Sequence, residues 1–147
     1  MDEISPKLQR GLKDYISYYE KLSPRSVRLL EKIAEPSMQF KDPFNDVTGI
    51  EKVEAIFKHM FENTQKPKFK VLDSSWGARD NMAYIRWHFS YQVNGQAKYI
   101  EGMSEVLFSK SGKVMSHTDF WDSGEYFYES IPMLGAAIRF VKSKLKV

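Results

Sequence analysis

Residues 81–121 read NMAYIRWHFSYQVNGQAKYIEGMSEVLFSKSGKVMSHTDFW, and the fold follows from this stretch. Asn94-Gly95 is the strongest short signal for a two-residue hairpin turn. In 81–93 the odd positions are Ala83, Ile85, Trp87, Phe89, Tyr91 and Val93, an apolar set suited to a core. The even positions, Met82, Tyr84, Arg86, His88, Ser90 and Gln92, are mixed. A period of two with one apolar face predicts a half-buried strand. Lys110-Ser111-Gly112 supplies a second turn, so 81–93, 97–109 and 113–121 read as an antiparallel meander. Residues 68–77, which break at Gly77, add a strand before it.

The flanks have a helical period instead. Ser5-Pro6 is a helix start, followed by a stripe of Leu8, Leu12, Tyr15, Tyr19 and Leu22. Ser23-Pro24 repeats the start, and Val27, Leu29, Leu30 and Ile33 predict a short second helix that ends before Pro36. Residues 37–41 alternate as a short strand, and Asp42-Pro43-Phe44-Asn45-Asp46 is a turn. Thr48 with Glu51 fits a capping box ahead of a helix bearing Ile50, Val53, Ile56, Phe57, Met60 and Phe61. After the sheet, Asp122 and Glu125 can cap a last helical part with Ile131, Leu134, Ile138, Val141 and Leu145. Helices, one sheet, then a helix is an α+β pattern, with the helices on one face of the sheet. No linker interrupts it, so residues 1–147 are expected to form a single domain.

Composition narrows the function. There is no cysteine, which removes disulfide scaffolds, thiol catalysis and Cys-based zinc sites, and fits a reducing compartment. The net charge of +3 is too small to argue for nucleic acid. Arg139, Lys142, Lys144 and Lys146 read as a solvated face near a helix C-terminus. Neither a signal peptide nor an apolar run of about 20 residues is visible, so the expectation is a cytoplasmic protein with no membrane partner. His59 and His88 have no ligand spacing to His117, and neither a metal nor a cofactor is expected.

Phe40-Lys41-Asp42-Pro43-Phe44, Gly49-Ile50-Glu51, Gly112-Lys113-Val114 and Phe120-Trp121-Asp122, in this order, resemble the nuclear transport factor 2-like superfamily. The likeness is to its SnoaL-like branch, with ketosteroid isomerase and limonene epoxide hydrolase as relatives. It implies a cone-shaped curved antiparallel sheet with helices packed in its concave face, a deep apolar pocket for a small hydrophobic molecule, and often a homodimer. It does not imply one activity.

On this resemblance Asp42 matches the general base of the isomerases; read by itself, it is an aspartate in a turn before proline. His117, Asp119 and Trp121 share one face of the last strand. There the carboxylate can orient the imidazole as a general acid/base pair, or the two can satisfy each other as a buried polar pair. Asp42, His117 and Asp119 are thus the catalytic candidates, and Tyr15, Phe44, Trp87, Ser104 and Trp121 the candidates for contact with a substrate. Ser104 occupies the place of an oxyanion-hole aspartic acid, a departure that speaks against ketosteroid isomerase activity itself. The isomerases' tyrosine falls on Tyr15 or on Tyr18, depending on where the count starts; Tyr15 lies on the apolar stripe. An Asp–Arg–Asp hydrolase site lacks its arginine, since Arg86 has outward parity and Arg79 and Arg139 serve only in another register. Three readings follow: an acid/base enzyme of isomerase, hydrolase or dehydratase type, a non-catalytic binder, and a dimerisation module. Tyr84, Arg86 and His88, with Tyr99, Glu101, Met103 and Glu105, form the outer sheet face on which a homodimer is expected.

Overall fold

The computed structural model describes residues 3–79 and 81–147. In chain order its elements are α1 (Pro6–Glu20), a 3-10 turn Val27–Leu29, α2 (Leu30–Ile33), β1 (Ala34–Lys41), β2 (Asp46–Thr48), α3 (Ile50–Asn63), β3 (Gln65–Trp76), β4 (Met82–Val93), β5 (Gln96–Phe108) and β6 (Val114–Trp121). The chain closes with α4 (Ser123–Tyr126), a second 3-10 turn Tyr128–Ser130 and α5 (Pro132–Leu145).

The six strands form one sheet in the order β2-β1-β6-β5-β4-β3. The meander β3 to β6 is antiparallel, as its turns predict, whereas β1 joins it parallel to β6. The sheet is therefore mixed. β1 also starts earlier than the alternation at 37–41 implies, and includes Pro36. Its ladder with β6 skips from Ala34 to Gln39. Pro36 lies in that irregular stretch, where a residue without an N–H costs the ladder nothing. The capping box is not formed: Gly49 is the N-cap of α3 and no side chain caps it, because Thr48 pairs with Gln39 in the β1–β2 ladder.

The apolar stripe of α1, with Val27, Leu30, Val53 and Phe57, packs on the inner face of the sheet, where Ala83, Ile85, Trp87, Phe89, Val106, Phe108 and Val114 are buried. At the other end α1 is docked backbone to backbone on the β5–β6 turn. A Cβ on Gly11 would stand 2.2 Å from the Gly112 carbonyl oxygen. α5 packs against the 128–130 turn and leaves Met133, Phe140 and Val141 exposed. No helix among the described residues is long and apolar enough to cross a membrane.

Glu54 is the one carboxylate among the described residues buried in this core, at 8% exposure, with Oε1 unpaired. Burial first, then Glu31 and Glu51, raise its pKa, and Lys58 opposes them. A raised folded pKa means that the contribution to stability is present below the unfolded value and is lost as pH rises through the folded one. Glu54→Gln is accordingly expected to add about 1 kcal/mol at neutral pH, where the charged carboxylate is buried with one oxygen unpaired. Urea melts should show the gain near pH 7 and little difference near pH 4, below the usual Glu range of about 4.3. An equal gain at both pH values would sink this account.

Candidate functional site

Strand register brings five inner-face side chains together. Ser104 on β5 stands opposite Asp119 on β6 and Ile85 on β4, while Gly102 stands between Trp121 and Trp87. Gly102 is required here: a Cβ would come within 2.6 Å of the Trp87 ring. The indole thus lies across β5, and its Nε1–H donates to Ser104 Oγ at 2.8 Å. Ser104 Oγ in turn donates to Asp119 Oδ1 at 2.5 Å.

From the other side, Asp119 Oδ1 meets His117 Nε2 at 2.6 Å, and His117 Nδ1 meets the Tyr15 hydroxyl at 2.7 Å. Burial, the largest influence on it, holds the Tyr15 phenol well above its ordinary pKa. Tyr15 therefore keeps its proton and donates it to Nδ1, and the ring's Nε2–H donates to Asp119, so every donor faces an acceptor. Phe40 stacks on the imidazole at 4.9 Å between centroids and fixes its plane. Two donor chains, Tyr15–His117 and Trp87–Ser104, thus end on the same carboxylate oxygen. None of the described donors is bonded to the other oxygen, Oδ2.

Asp119 lines a cavity with Ile16, Tyr19, Phe69, Val71, Ile85, Trp87, Ser104 and His117. The cavity measures about 20 Å³, room for roughly one water molecule. Its wall is apolar and aromatic, with Tyr19 and Phe69 edge to face at 5.2 Å. Burial raises the Tyr19 phenol as well, so it too remains a donor. Its hydroxyl lies 3.3 Å from that of Tyr15, a long bond that leaves it free to turn to a ligand.

The candidates from sequence divide into two groups. His117, Asp119, Ser104 and Trp87 line the cavity. Tyr15 stands behind His117, and Tyr18 is accounted for elsewhere, its hydroxyl donating to the Val27 carbonyl at 2.9 Å. Asp42, Phe44 and Trp121 lie outside the cavity. Asp42 closes its own turn: Oδ1 accepts from the backbone N–H groups of Phe44 at 2.8 Å and Asn45 at 2.6 Å. It lines a surface groove with Trp121, and Asp119 is shared between that groove and the cavity. Phe44, 52% exposed, packs on Trp121, Phe127 and Tyr128. Three outward side chains of the sheet, Tyr99, Met103 and Phe120, are likewise more than two-fifths exposed. Sequence reasoning did not single out Tyr19 or Phe69. The signal for Tyr19 was its place on the α1 stripe, one turn beyond Tyr15.

Residues 15–117 match the family model of the SnoaL-like domain. No curated protein matches the chain. Solved structures with the same fold include a steroid delta-isomerase from Pseudomonas aeruginosa, with 15% identity, TM-score 0.63 and coverage of 99% of this chain and 98% of that one. An NTF2-like protein of unknown function from Burkholderia pseudomallei aligns with 11% identity and TM-score 0.70, over 82% of this chain and 95% of that one. A protein with a ketosteroid isomerase-like fold from Catenulispora acidiphila, in complex with trimethylamine, aligns with 8% identity and TM-score 0.65, over 79% and 88%. At these identities the likeness is one of fold.

Proposed function

Because the chain belongs to the SnoaL-like family, we propose that it binds a small, largely apolar carbonyl compound between α1 and the sheet and moves a proton on it through Asp119. One observation carries the reading: both internal hydrogen bonds end on Oδ1, which leaves Oδ2 of a cavity-lining carboxylate uncommitted. The carboxylate takes a proton from the carbon next to the carbonyl, becomes the neutral acid, and returns the proton to the same or a neighbouring carbon. The net result is exchange or isomerisation. Tyr19 supplies the hydroxyl that meets the developing enolate oxygen. His117 and Ser104 hold the carboxylate in place, and Tyr15 and Trp87 hold them. Asp42, the base suggested by the family position, is replaced in this role by Asp119.

The test is deuterium uptake at the acidic carbon of 2-tetralone in D2O, followed by proton NMR. Uptake faster than buffer alone supports the reading; a rate equal to buffer removes it. The competing reading, a non-catalytic binding or dimerisation module, is favoured by the cavity of about 20 Å³, far below the roughly 300 Å³ at which ligand pockets begin. Under the catalytic reading, the Tyr19–Phe69 wall must part to admit a ligand.

The chain is also proposed to pair with its own copy through the outer sheet face, in a cytoplasmic setting that suits a chain without cysteine. Tyr99 and Met103 on β5 and Phe120 on β6 are exposed there, with Met103 directly opposite Phe120. A two-fold contact would use each substitution twice. Met103→Glu, which adds a charge between Glu101 and Glu105 on that face, is expected to turn a dimer into a monomer with an unchanged circular dichroism spectrum. Light scattering checks it, and a monomeric unmutated protein at tens of micromolar would end the proposal.

A further inference from the structure

Outside the Tyr19–Phe69 wall lies a second recess, a groove of about 400 Å³ between the C-terminal ends of α1 and α3 and the start of β3. Tyr19 and Phe69 line it as well as the inner cavity, so one layer of rings separates the two. Its lining includes the apolar Met60 and Phe61 together with Lys21, Lys66 and Lys68. The only carboxylate on its lining is that of Glu20, which accepts the Val71 N–H at 3.2 Å. None of the three lysines is in an ion pair among the described residues.

At the helix ends, the Asn63 side chain donates to the His59 carbonyl and the Thr64 hydroxyl to that of Met60, while the N–H groups of Lys21 and Leu22 donate to the carbonyls of Ser17 and Tyr19. Lys66 is moreover held at φ 50°, a left-handed conformation that costs a side-chain-bearing residue energy and recurs at ligand sites. The lining thus carries more lysines than carboxylates beside apolar side chains, one ring's thickness from a carboxylate-bearing cavity.

We propose that this groove is an anion subsite and that the ligand is an apolar molecule with an anionic end, a carboxylate or an equivalent oxyanion. The two charged regions orient it. Asp119 repels the anionic end from the inner cavity, the lysines retain it outside, and the apolar part lies against Tyr19 and Phe69. The proposal rests on the acid/base reading only for what happens inside the ring wall.

Isothermal titration with 2-naphthoate and with its neutral counterpart 2-naphthamide tests it. The structure predicts that naphthoate binds about 10-fold more tightly, and that Lys66→Gln with Lys68→Gln abolishes this preference while naphthamide affinity stays unchanged. Lys98→Gln, on β5 and outside the groove, should leave both affinities alone. In the unmutated protein, raising salt from about 50 to about 500 mM should weaken naphthoate binding alone. Equal affinity for the two probes, no binding of naphthoate at millimolar concentration, or a preference that survives the double substitution overturns the subsite. A naphthoate preference without catalysed tetralone exchange leaves the subsite standing and removes the acid/base reading; the reverse outcome does the opposite.

Discussion

Asp119→Asn is expected to lower the catalysed exchange of 2-tetralone protons by roughly 10²–10⁴-fold, the usual contribution of a positioned base. The asparagine carbonyl can still accept from His117 Nε2–H and Ser104 Oγ–H, the two bonds that now end on Oδ1. The network stays satisfied, and the melting temperature should change little. What disappears is the basic oxygen, Oδ2. Asp42→Asn is the matched comparison: it lies at a turn outside the cavity and should leave the exchange rate within about twofold of wild type, far inside the span expected of a base. If both substitutions reduce the rate alike, the base is not assigned by the hydrogen-bond pattern.

Gly11→Ala is expected to cost about 3 kcal/mol. An alanine in the middle of an exposed helix normally gains about 1 kcal/mol over glycine, so the sign itself is the test. Here the added Cβ would lie 2.2 Å from the Gly112 carbonyl oxygen and 3.0 Å from its carbonyl carbon. Neither partner can swing aside, since both are backbone, and Gly112 sits at φ 84° with the Lys7 carbonyl oxygen crowding its own Cβ position. α1 must lift, and it carries Ile16 and Tyr19, which line the cavity, and Tyr15, which holds His117. The melting temperature should fall by about 10 °C. A stabilised variant would mean that α1 does not dock on this turn.

Much of this candidate site is legible in the sequence. The period of two in 81–93 set the inward face, and the two turns carried that parity to Ser104, His117 and Asp119, because alternation is a local property of a strand. Parity ends where strands end. Whether Asp42 enters a pocket or closes a turn depends on the Asn45 N–H, which bends back to its carboxylate. The parallel pairing of β1 with β6 puts Phe40 beside His117, a long-range contact that no local pattern records. Tyr15 and Tyr19 share a helix stripe, but only the packed fold decides which phenol reaches the cavity and which reaches His117. The bulge between Val71 and Asp73 shifts parity along β3, and this makes Val71 and Trp76 both inward. The lysines of the groove are scattered over 21–68 and converge only in the fold.

On the proposed function, a ligand enters the cavity at Asp119. The indole N–H of Trp87 reports on that cavity directly, since it is bonded to Ser104 and its ring lines the wall. In a ¹⁵N-resolved NMR titration with 2-tetralone, the Trp87 indole signal should move progressively and saturate, with the Trp121 indole, outside the cavity, moving less. A Trp87 signal that stays fixed while Trp121 or the outer sheet face responds would contradict the account.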